Sequence, residues 1–374
     1  MTGSSARVLV AGLGDSGLLT ATHLAGHRGV EVVGISTKPG LVSGQELGMR
    51  LARPDDWSRD YRVGFDRFRR LTGIRTVHAE LTGLDLEDRR VTLRDVDGRV
   101  GQEPYDLLVI STGVTNGFWR RAELQTDADV ETELAAAHRR LAEASNVVIV
   151  GGGAAAVSSA LQIALRWPAT RVALCFPGER ALPAHHRRTW AHVRRRLTDA
   201  GVDLRPGHRA LLPDGRPPEQ LTGGPVSWST GQPDTEADAV LWAVGRVRPN
   251  TAWLPPELLD ADGFVRVDAT LQVPGHPDVF AVGDVAATDP LRSSARNRAD
   301  KLLAANILAR LGGGQLREFR APRRRWGSVL GVEPDGLRVF GPSGRVFRFP
   351  RRTVDTVLQP WIVRRGIYGG IRGE

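Results

Sequence analysis

The chain has 374 residues, of which 41% are hydrophobic, and its formal net charge at pH 7 is +9. This length gives room for two or three domains with their own cores, and no apolar run approaches the roughly 20 residues of a membrane-spanning helix. The single cysteine, Cys175, excludes an internal disulfide and a paired-thiol relay. Because it lies in an apolar run, we expect an inert, buried thiol rather than a reactive one.

The positive charge comes almost entirely from arginine, since lysine occurs only at Lys38 and Lys301. Arginines cluster at 187–188, 194–196, 323–325, 351–352 and 364–365. These clusters suit either a nucleic-acid surface or a solvated face. We expect the solvated face and no specific nucleic-acid partner, because net charge bears on solubility and not on fold. The first strand begins soon after Met1, so we expect no leader segment and a cytoplasmic protein.

Near the amino terminus, a short apolar strand runs into a glycine-rich loop. Residues 7–11 are Arg-Val-Leu-Val-Ala, and Gly12, Gly14 and Gly17 follow with the spacing Gly-x-Gly-x-x-Gly. In a dinucleotide-binding unit the first glycine makes the turn, the second lets a diphosphate approach the backbone and the third permits close helix packing. Asp15 and Ser16 stand where the helix N-terminus offers its N–H groups to phosphate.

The elements after this loop continue an alternating α/β pattern. The sequence predicts a strand at 30–35, a stretch of little apolar periodicity at 38–70, a β-meander around 89–98 and a buried strand at 105–113. The strand at 30–35 ends in Ser36, Thr37 and Lys38, which is where such units contact a ribose.

A second apolar strand, at 146–150, meets a second glycine-rich loop. Gly151 and Gly153 are followed by Ala154 and Ala155, and Ala156 takes the third glycine's place. The elements predicted around this loop are helices at 129–144, 156–167 and 184–200, strands at 171–176, 202–204 and 239–244, and a loop-rich stretch at 206–236. One such loop is a common motif, whereas two in one chain indicate two nucleotides held side by side.

A third element follows the second loop. A strand at 278–282 ends in Gly283 and Asp284, and a helix is predicted at 294–311. An aspartate there can accept a hydrogen bond from a sugar hydroxyl, and a helix N-terminus beyond it favours negative charge on a flavin ring. We predict strands and turns over 323–374, with a basic, aromatic tail.

These motifs together carry a resemblance to a known family. Ser111-Thr112-Gly113 stands where the family has Ala-Thr-Gly, residues 245–250 (Gly-Arg-Val-Arg-Pro-Asn) resemble its Gly-Arg-x-Pro-Asn segment, and 280–284 match its closing flavin motif. Over residues 6–312 the chain resembles the FAD- and NAD(P)-dependent oxidoreductases with two dinucleotide domains. Without a paired thiol, it is most similar to the apoptosis-inducing-factor-like, ferroptosis-suppressor-type and type II NADH dehydrogenase branches, and to ferredoxin reductases of oxygenase systems.

The resemblance implies an α/β fold with two Rossmann-like domains. The FAD domain is discontinuous over 1–116 and 243–316, the NAD(P) domain is inserted at 117–242, and 317–374 form a small α+β interface segment. The residues that it assigns to FAD are Gly12, Gly14, Asp15, Ser16, Gly17, Ser36, Thr37, Lys38, Leu81, Thr112, Gly113, Gly283 and Asp284. Those that it assigns to NADPH or NADH are Gly151, Gly153, Ala154, Ala155, Ala156, Phe176, Arg180 and Gly245.

Three positions depart from the family pattern. Ser36 replaces the acid that bridges the FAD ribose hydroxyls, so a hydroxyl takes a carboxylate's place and Lys38 can add a contact to phosphate. Phe176 replaces the acid of an NAD site, and with Arg180 close by this allows NADPH. Arg180 can equally be a surface residue. Ser158 replaces a glutamate that helps place the nicotinamide in many relatives.

The reaction that the resemblance implies needs no side-chain nucleophile, because the flavin carries out the electron transfer. Three functions remain open: reduction of a small quinone-like molecule, reduction of a protein partner such as a ferredoxin or oxygenase, and a redox sensor or interaction protein of low turnover. The adjacent His185 and His186 point in different directions on a helix, so we expect no metal site. The tail around Trp361 and Tyr368 suits packing against the flavin domain or contact with a membrane surface, and a homodimer is compatible with the sequence.

Overall fold

The computed structural model describes residues 5–115, 121–213, 220–244, 247–288, 299–321 and 326–373. Its strands are β1 (Ala6–Ala11), β2 (Val30–Ser36), β3 (Gly40–Val42), β4 (Arg62–Gly64), β5 (Arg75–Asp85), β6 (Arg90–Asp95), β7 (Val100–Pro104), β8 (Leu107–Ile110), β9 (Val114–Thr115), β10 (Asn146–Val150), β11 (Arg171–Phe176), β12 (Asp203–Pro206), β13 (Ala239–Trp242), β14 (Arg248–Pro249), β15 (Gln272–Val273), β16 (His276–Ala281), β17 (Val332–Glu333), β18 (Gly336–Phe340) and β19 (Val346–Pro350). Its helices are α1 (Asp15–Leu24), α2 (Leu47–Ala52), α3 (Pro54–Tyr61), α4 (Asp127–Glu143), α5 (Ala154–Arg166), α6 (Arg187–Asp199), α7 (Ala299–Leu311), the turn Arg351–Thr353 and the C-terminal π-helix Val354–Ile367.

The first nucleotide unit is built on an eight-stranded sheet with the order β15-β16-β8-β1-β2-β5-β6-β7. β1 pairs in parallel with β2 on one side and β8 on the other, so its last four residues are buried on both faces. A strand covered on both faces reads as a continuous apolar run, which is the pattern seen in the sequence. The predicted meander is confirmed as the antiparallel strands β5, β6 and β7.

The second unit is a four-stranded parallel sheet with the order β12-β11-β10-β13. After it the chain returns to the first sheet, where β16 pairs in parallel with β8. The predicted α/β class, with two nucleotide-binding units, is confirmed. Within the described residues, no helix combines the length and apolar character needed to cross a bilayer.

The C-terminal segment is only partly as predicted. β17, β18 and β19 form an antiparallel sheet, but the tail expected to be turns is the π-helix Val354–Ile367. Pro360 lies inside this helix. Because proline lacks an N–H and normally ends a helix, the sequence pattern favoured turns there.

The same segment is attached to both nucleotide units. The carbonyl oxygen of Val332 accepts two hydrogen bonds. One comes from the side chain of Arg53, the N-cap residue of α3, at 2.7 Å, and the other from the side chain of Gln162 of α5, at 3.1 Å. Glu333 is fully buried between Arg196 of α6, at 3.1 Å, and Arg338. Burial raises the pKa of Glu333, while the two guanidinium groups act in the opposite direction.

Candidate functional site

The first glycine loop has the geometry that a diphosphate requires. Gly12 has a φ of +103°, and a β-carbon there would lie 2.5 Å from the carbonyl oxygen of Ser111. A β-carbon on Gly17 would lie 1.9 Å from the carbonyl oxygen of Gly12, whereas one on Gly14 would meet nothing within 4 Å. Gly12 and Gly17 therefore hold the strand, loop and helix together, and Gly14 leaves the N-terminus of α1 open to a ligand.

A cavity of about 460 Å³ lies over this loop. Of the thirteen residues assigned to FAD, all but Gly17 line it: Gly12, Gly14, Asp15, Ser16, Ser36, Thr37, Lys38, Leu81, Thr112, Gly113, Gly283 and Asp284. Gly17 is buried beneath the loop, where it packs α1 against β1. Asp284 is buried in the turn that follows β16, and a β-carbon on the preceding Gly283 would lie 2.9 Å from Oγ of Ser16. The residues present thus fit an extended dinucleotide such as FAD.

The sugar end of the cavity carries no acid at position 36. The hydroxyl of Ser36 accepts a hydrogen bond from the backbone N–H of Lys38, at 3.1 Å. The Lys38 ammonium donates to the carbonyl oxygens of Arg121 and Glu123, at 2.9 and 2.8 Å. Burial lowers the pKa of Lys38 to about 8. Lys38 therefore lines the cavity as predicted, but its contacts are with the protein.

Two arginines of the cavity were not predicted from the sequence: Arg50 is buried and Arg121 is half-buried. Arg50, on α2, lies 4.9 Å from the ring centre of Trp57, and burial lowers its pKa to about 10. Arg121 pairs with Glu133 of α4 at 2.6 Å. In the sequence, the sign of such a role for Arg50 was its position within the apolar stretch Leu47–Ala52. Nothing in the sequence around Arg121 indicates such a role, because its partner Glu133 lies on another element.

Residues 248–250, the end of the segment matched at 245–250, also line this cavity. The side-chain amide of Asn250 donates to the carbonyl oxygen of Thr112 at 2.9 Å and accepts from the hydroxyl of Thr115 at 2.7 Å. It thereby joins the two crossings between the nucleotide units, β9 and β14, which pair with each other. Gly245, assigned to the nicotinamide nucleotide, lies outside the described residues.

The second glycine loop repeats the geometry of the first. Gly151 has a φ of +143°, and a β-carbon there would lie 2.2 Å from the carbonyl oxygen of Ala243. A β-carbon on Gly153 would meet nothing within 4 Å. Ala154 is exposed at the start of α5, Ala155 is half-buried and Ala156 packs in the core. The N-terminus of α5 is therefore open to an anionic ligand.

Two other residues assigned to the nicotinamide nucleotide do not present free side chains there. The ring of Phe176 is 1% exposed and packs edge-on against Trp190, at 5.7 Å between ring centres, so it points into the core and not toward a ribose. The guanidinium of Arg180 donates to the carbonyl oxygens of Pro183 and His185, at 2.9 and 3.1 Å. Arg180 therefore stabilises the loop to which it belongs.

The remaining candidates have structural roles. Cys175 is buried in β11, and burial raises its pKa to about 12, which makes it a poor nucleophile. His186 caps α6 by accepting from the backbone N–H of Arg188 at 3.1 Å. Across the described part of the chain, no three histidine, cysteine or acidic side chains gather as metal ligands would.

Two parallel glycine-loop units joined by paired crossings, with a buried Gly-Asp turn closing the first, define a flavoprotein that holds two dinucleotides. Residues 6–305 match the sequence profile of the pyridine nucleotide-disulphide oxidoreductases, and the chain belongs to that family. It is therefore an oxidoreductase whose cofactors are FAD and a nicotinamide nucleotide.

Several known proteins are similar. Oxidoreductase ptaL of Pestalotiopsis fici is 26% identical over 344 residues, covering 88% of this chain and 84% of that protein. Apoptosis-inducing factor homolog B of Dictyostelium discoideum is 22% identical over 268 residues, covering 65% and 69%. Among solved structures, reduced Bacillus anthracis CoADR-RHD has a TM-score of 0.67 at 18% identity, covering 90% of this chain and 62% of its own length. The NADH-bound water-forming NADH oxidase from Lactobacillus brevis has a TM-score of 0.67 at 18% identity, covering 90% and 75%. At these identities the solved structures show the fold alone.

Proposed function

We propose that this protein is an FAD-dependent NAD(P)H oxidoreductase that passes electrons to a small, quinone-like acceptor. The observation that carries the proposal is the state of the only thiol. Cys175 is buried in β11, outside the cavity over the first glycine loop. No thiol relay is available, so the acceptor must reach the flavin itself.

In this proposal the side chains bind and orient the cofactors. When bound, FAD would supply the two-electron redox chemistry between the nicotinamide and the acceptor. The N-termini of α1 and α5 hold the two diphosphates, and the buried Asp284 accepts a hydrogen bond from a sugar hydroxyl. The FAD domain comprises 1–116 and 243–316, the NAD(P) domain 117–242, and the interface segment 317–374.

An acceptor site formed by the aromatic side chains of the C-terminal segment gains no support from the cavity lining. Phe340 and Tyr368 are buried in the cores, while Trp326, Phe347 and Trp361 are each more than half exposed. Within the described residues, no side chain beyond Asp284 lines the cavity over the first loop. The segment contacts one lining residue of that cavity through Tyr368, whose hydroxyl donates to Asp15 at 3.1 Å.

The acceptor is tested by steady-state oxidation of NADH and NADPH with a water-soluble quinone, a ferredoxin or oxygen alone. We expect the quinone to be reduced fastest. Rapid reduction of ferredoxin with negligible quinone turnover would replace the proposal by a protein-partner reductase. Negligible turnover with every acceptor, despite bound FAD, would favour the redox-sensor alternative.

The flavin site is tested separately with Asp284→Ala. Loss of one hydrogen bond to the sugar chain should weaken FAD binding by about 1–3 kcal/mol. Asp262→Ala is a matched control, since Asp262 is an exposed aspartate in a turn of the same unit. A wild-type protein that is colourless and cannot be reconstituted with FAD would contradict the assignment.

We also propose that NADPH serves at least as well as NADH. The support is that β11 ends in the buried ring of Phe176, so the last residue of this strand presents no carboxylate that would repel a 2′-phosphate. The measurement is kcat/KM for each nucleotide. A preference for NADH above about tenfold, which corresponds to about 1.4 kcal/mol, would contradict this proposal.

The exposed side of the C-terminal π-helix supports peripheral contact with a membrane. Val357, Trp361 and Ile362 are 44%, 56% and 52% exposed, and the guanidinium of Arg365 lies 5.0 Å from the ring centre of Trp361. Apolar and cationic groups together favour an anionic lipid surface. Sedimentation with anionic vesicles should recover wild-type protein but not the Trp361→Ser variant, and equal recovery would refute the contact.

A further inference from the structure

The linker that leaves the first nucleotide unit forms one wall of the flavin cavity. Residues 121–125 connect the region after β9 with the start of α4, and Arg121, Ala122 and Gln125 line the cavity. The linker passes over the end of β2, where Ser36, Thr37 and Lys38 line the same cavity. This is the sugar end of the site.

Hydrogen bonds fasten this linker along its length. The Lys38 ammonium donates to the carbonyl oxygens of Arg121 and Glu123, at 2.9 and 2.8 Å. The backbone N–H of Gln125 donates to the carbonyl oxygen of Thr37 at 2.9 Å, and its own carbonyl oxygen lies 3.0 Å from Nε2 of His78. The linker is therefore tied at both ends to the residues that directly follow β2, and at one end to β5.

The Lys38 ammonium has no hydrogen to spare for a cofactor. An ammonium group carries three N–H donors. Besides the two carbonyl oxygens, the hydroxyl of Thr37 lies 3.3 Å from Nζ. Three protein oxygens thus account for three donors, and two of those oxygens belong to the linker.

We propose that Lys38 is a positioning residue that latches the linker 121–125 across the sugar end of the flavin cavity, so that FAD leaves only when this linker lifts. The inference rests on the proposed FAD site. At the end of β2, where Ser36 brings no carboxylate, this chain closes its own wall over the sugar end of the cavity.

The latch can be observed chemically, because the chain has only two lysines. Lys301 is exposed on α7 and serves as an internal standard. Burial lowers the pKa of Lys38 to about 8; Glu123 and Glu133 oppose that shift, and Arg50 and Arg121 add to it. At pH 8 a larger share of the Lys38 amine than of an ordinary lysine is therefore neutral and nucleophilic, so labelling of Lys38 that is nonetheless slower than that of Lys301 reports a closed linker.

The first experiment labels the FAD-loaded protein with acetic anhydride at pH 8 and follows each lysine by peptide mass spectrometry. We expect Lys38 to react at least about tenfold more slowly than Lys301. We also expect molecules acetylated at Lys38 to lose FAD, since the amide cannot make three hydrogen bonds. Labelling of Lys38 as fast as Lys301, or retention of FAD by the acetylated molecules, would overturn the latch.

The second experiment measures FAD release after dilution, by the rise in flavin fluorescence. Lys38→Met should release FAD at least about tenfold faster than wild type, a factor expected for losing hydrogen bonds from a charged donor. Lys38→Arg, which restores donors, should recover part of the retention, and Lys301→Met should behave as wild type.

Equal release from Lys38→Met and wild type would refute the latch and leave the proposed function intact. Conversely, a wild type that holds FAD but reduces only ferredoxin would refute the quinone proposal and leave the latch intact. The two failures are distinguishable because neither lysine measurement depends on turnover.

Discussion

Gly17 and Gly14 belong to one loop but have different roles. An alanine substitution at each position should distinguish these two roles. A β-carbon on Gly17 would lie 1.9 Å from the carbonyl oxygen of Gly12 and 2.5 Å from Oγ of Ser111, where ordinary contacts are 3.4–4 Å. Gly17 is buried in α1, so the clash can be relieved only by moving the helix from β1. Gly14 has a φ of −71°, which suits alanine, and its β-carbon would meet no protein atom.

The magnitude follows from this geometry. Overpacking by one methyl group in a core without room costs about 1–3 kcal/mol, and this contact belongs at the upper end. For a domain of roughly 200 residues, each kcal/mol moves the Tm by about 2–4 °C. Gly17→Ala should therefore lower the Tm of FAD-stripped protein by about 5–10 °C. Gly14→Ala should leave that Tm within about 1 °C of wild type.

The assay measures two quantities on each variant: the Tm of the FAD-stripped protein and the Kd for FAD by titration. Gly14→Ala should weaken FAD binding, because its methyl group occupies the space through which a diphosphate approaches the helix N-terminus. In the second loop, Gly151→Ala and Gly153→Ala form the corresponding pair for the nicotinamide nucleotide. An unchanged Tm for Gly17→Ala, or unchanged FAD affinity for Gly14→Ala, would refute this division of roles.

Three further predictions concern single side chains. Cys175 should resist alkylation at pH 8 in the native protein, because burial raises its pKa to about 12, and should react after unfolding in guanidinium chloride; rapid native labelling would contradict its placement. Tyr368→Phe removes the hydroxyl that donates to Asp15 and should lower the free energy of unfolding by about 1 kcal/mol, measured by urea titration; no change would show that this bond contributes nothing. Phe176→Glu should destabilise the second unit by about 3 kcal/mol or more, because it places a carboxylate beside Trp190 in the core; a folded variant with a clean shift toward NADH would contradict this orientation.

The parts of the fold that were predictable are those with local causes. The strands before the two glycine loops are apolar runs bounded by Gly12 and Gly151, and both loops require conformations that glycine favours. Each of these features can be read within about ten residues of sequence. The C-terminal helix was not predictable in this way, because Pro360 lies within it and distant partners stabilise it. One is the pair of Gln359 with the hydroxyl of Tyr61, at 2.9 Å.

The residues of the candidate site likewise differ in whether the local sequence could identify them. The cavity residues contributed by the glycine loop and the Gly-Asp turn were identified from sequence, but Arg50 and Arg121 were not. These arginines reach the cavity because α2, α4 and the linker converge there, which is a property of the tertiary structure. The direction of the Phe176 side chain is a further example. Its position on β11 was evident, but only the packing of α6 shows that the ring faces Trp190.

The attachment of residues 326–373 to both units has a consequence for how such a protein can change. Val332 and Glu333 contact α5 and α6 on one side, while Tyr368 and Arg364 contact Asp15 and Asp60 on the other. Residues 326–373 therefore act as a brace between the two units, in addition to the direct packing of α2 against α5. Substitutions in this brace can retune the spacing of the two nucleotides without touching a residue that binds either one. Two proteins with identical glycine loops can thus differ in transfer rate solely through their carboxyl termini.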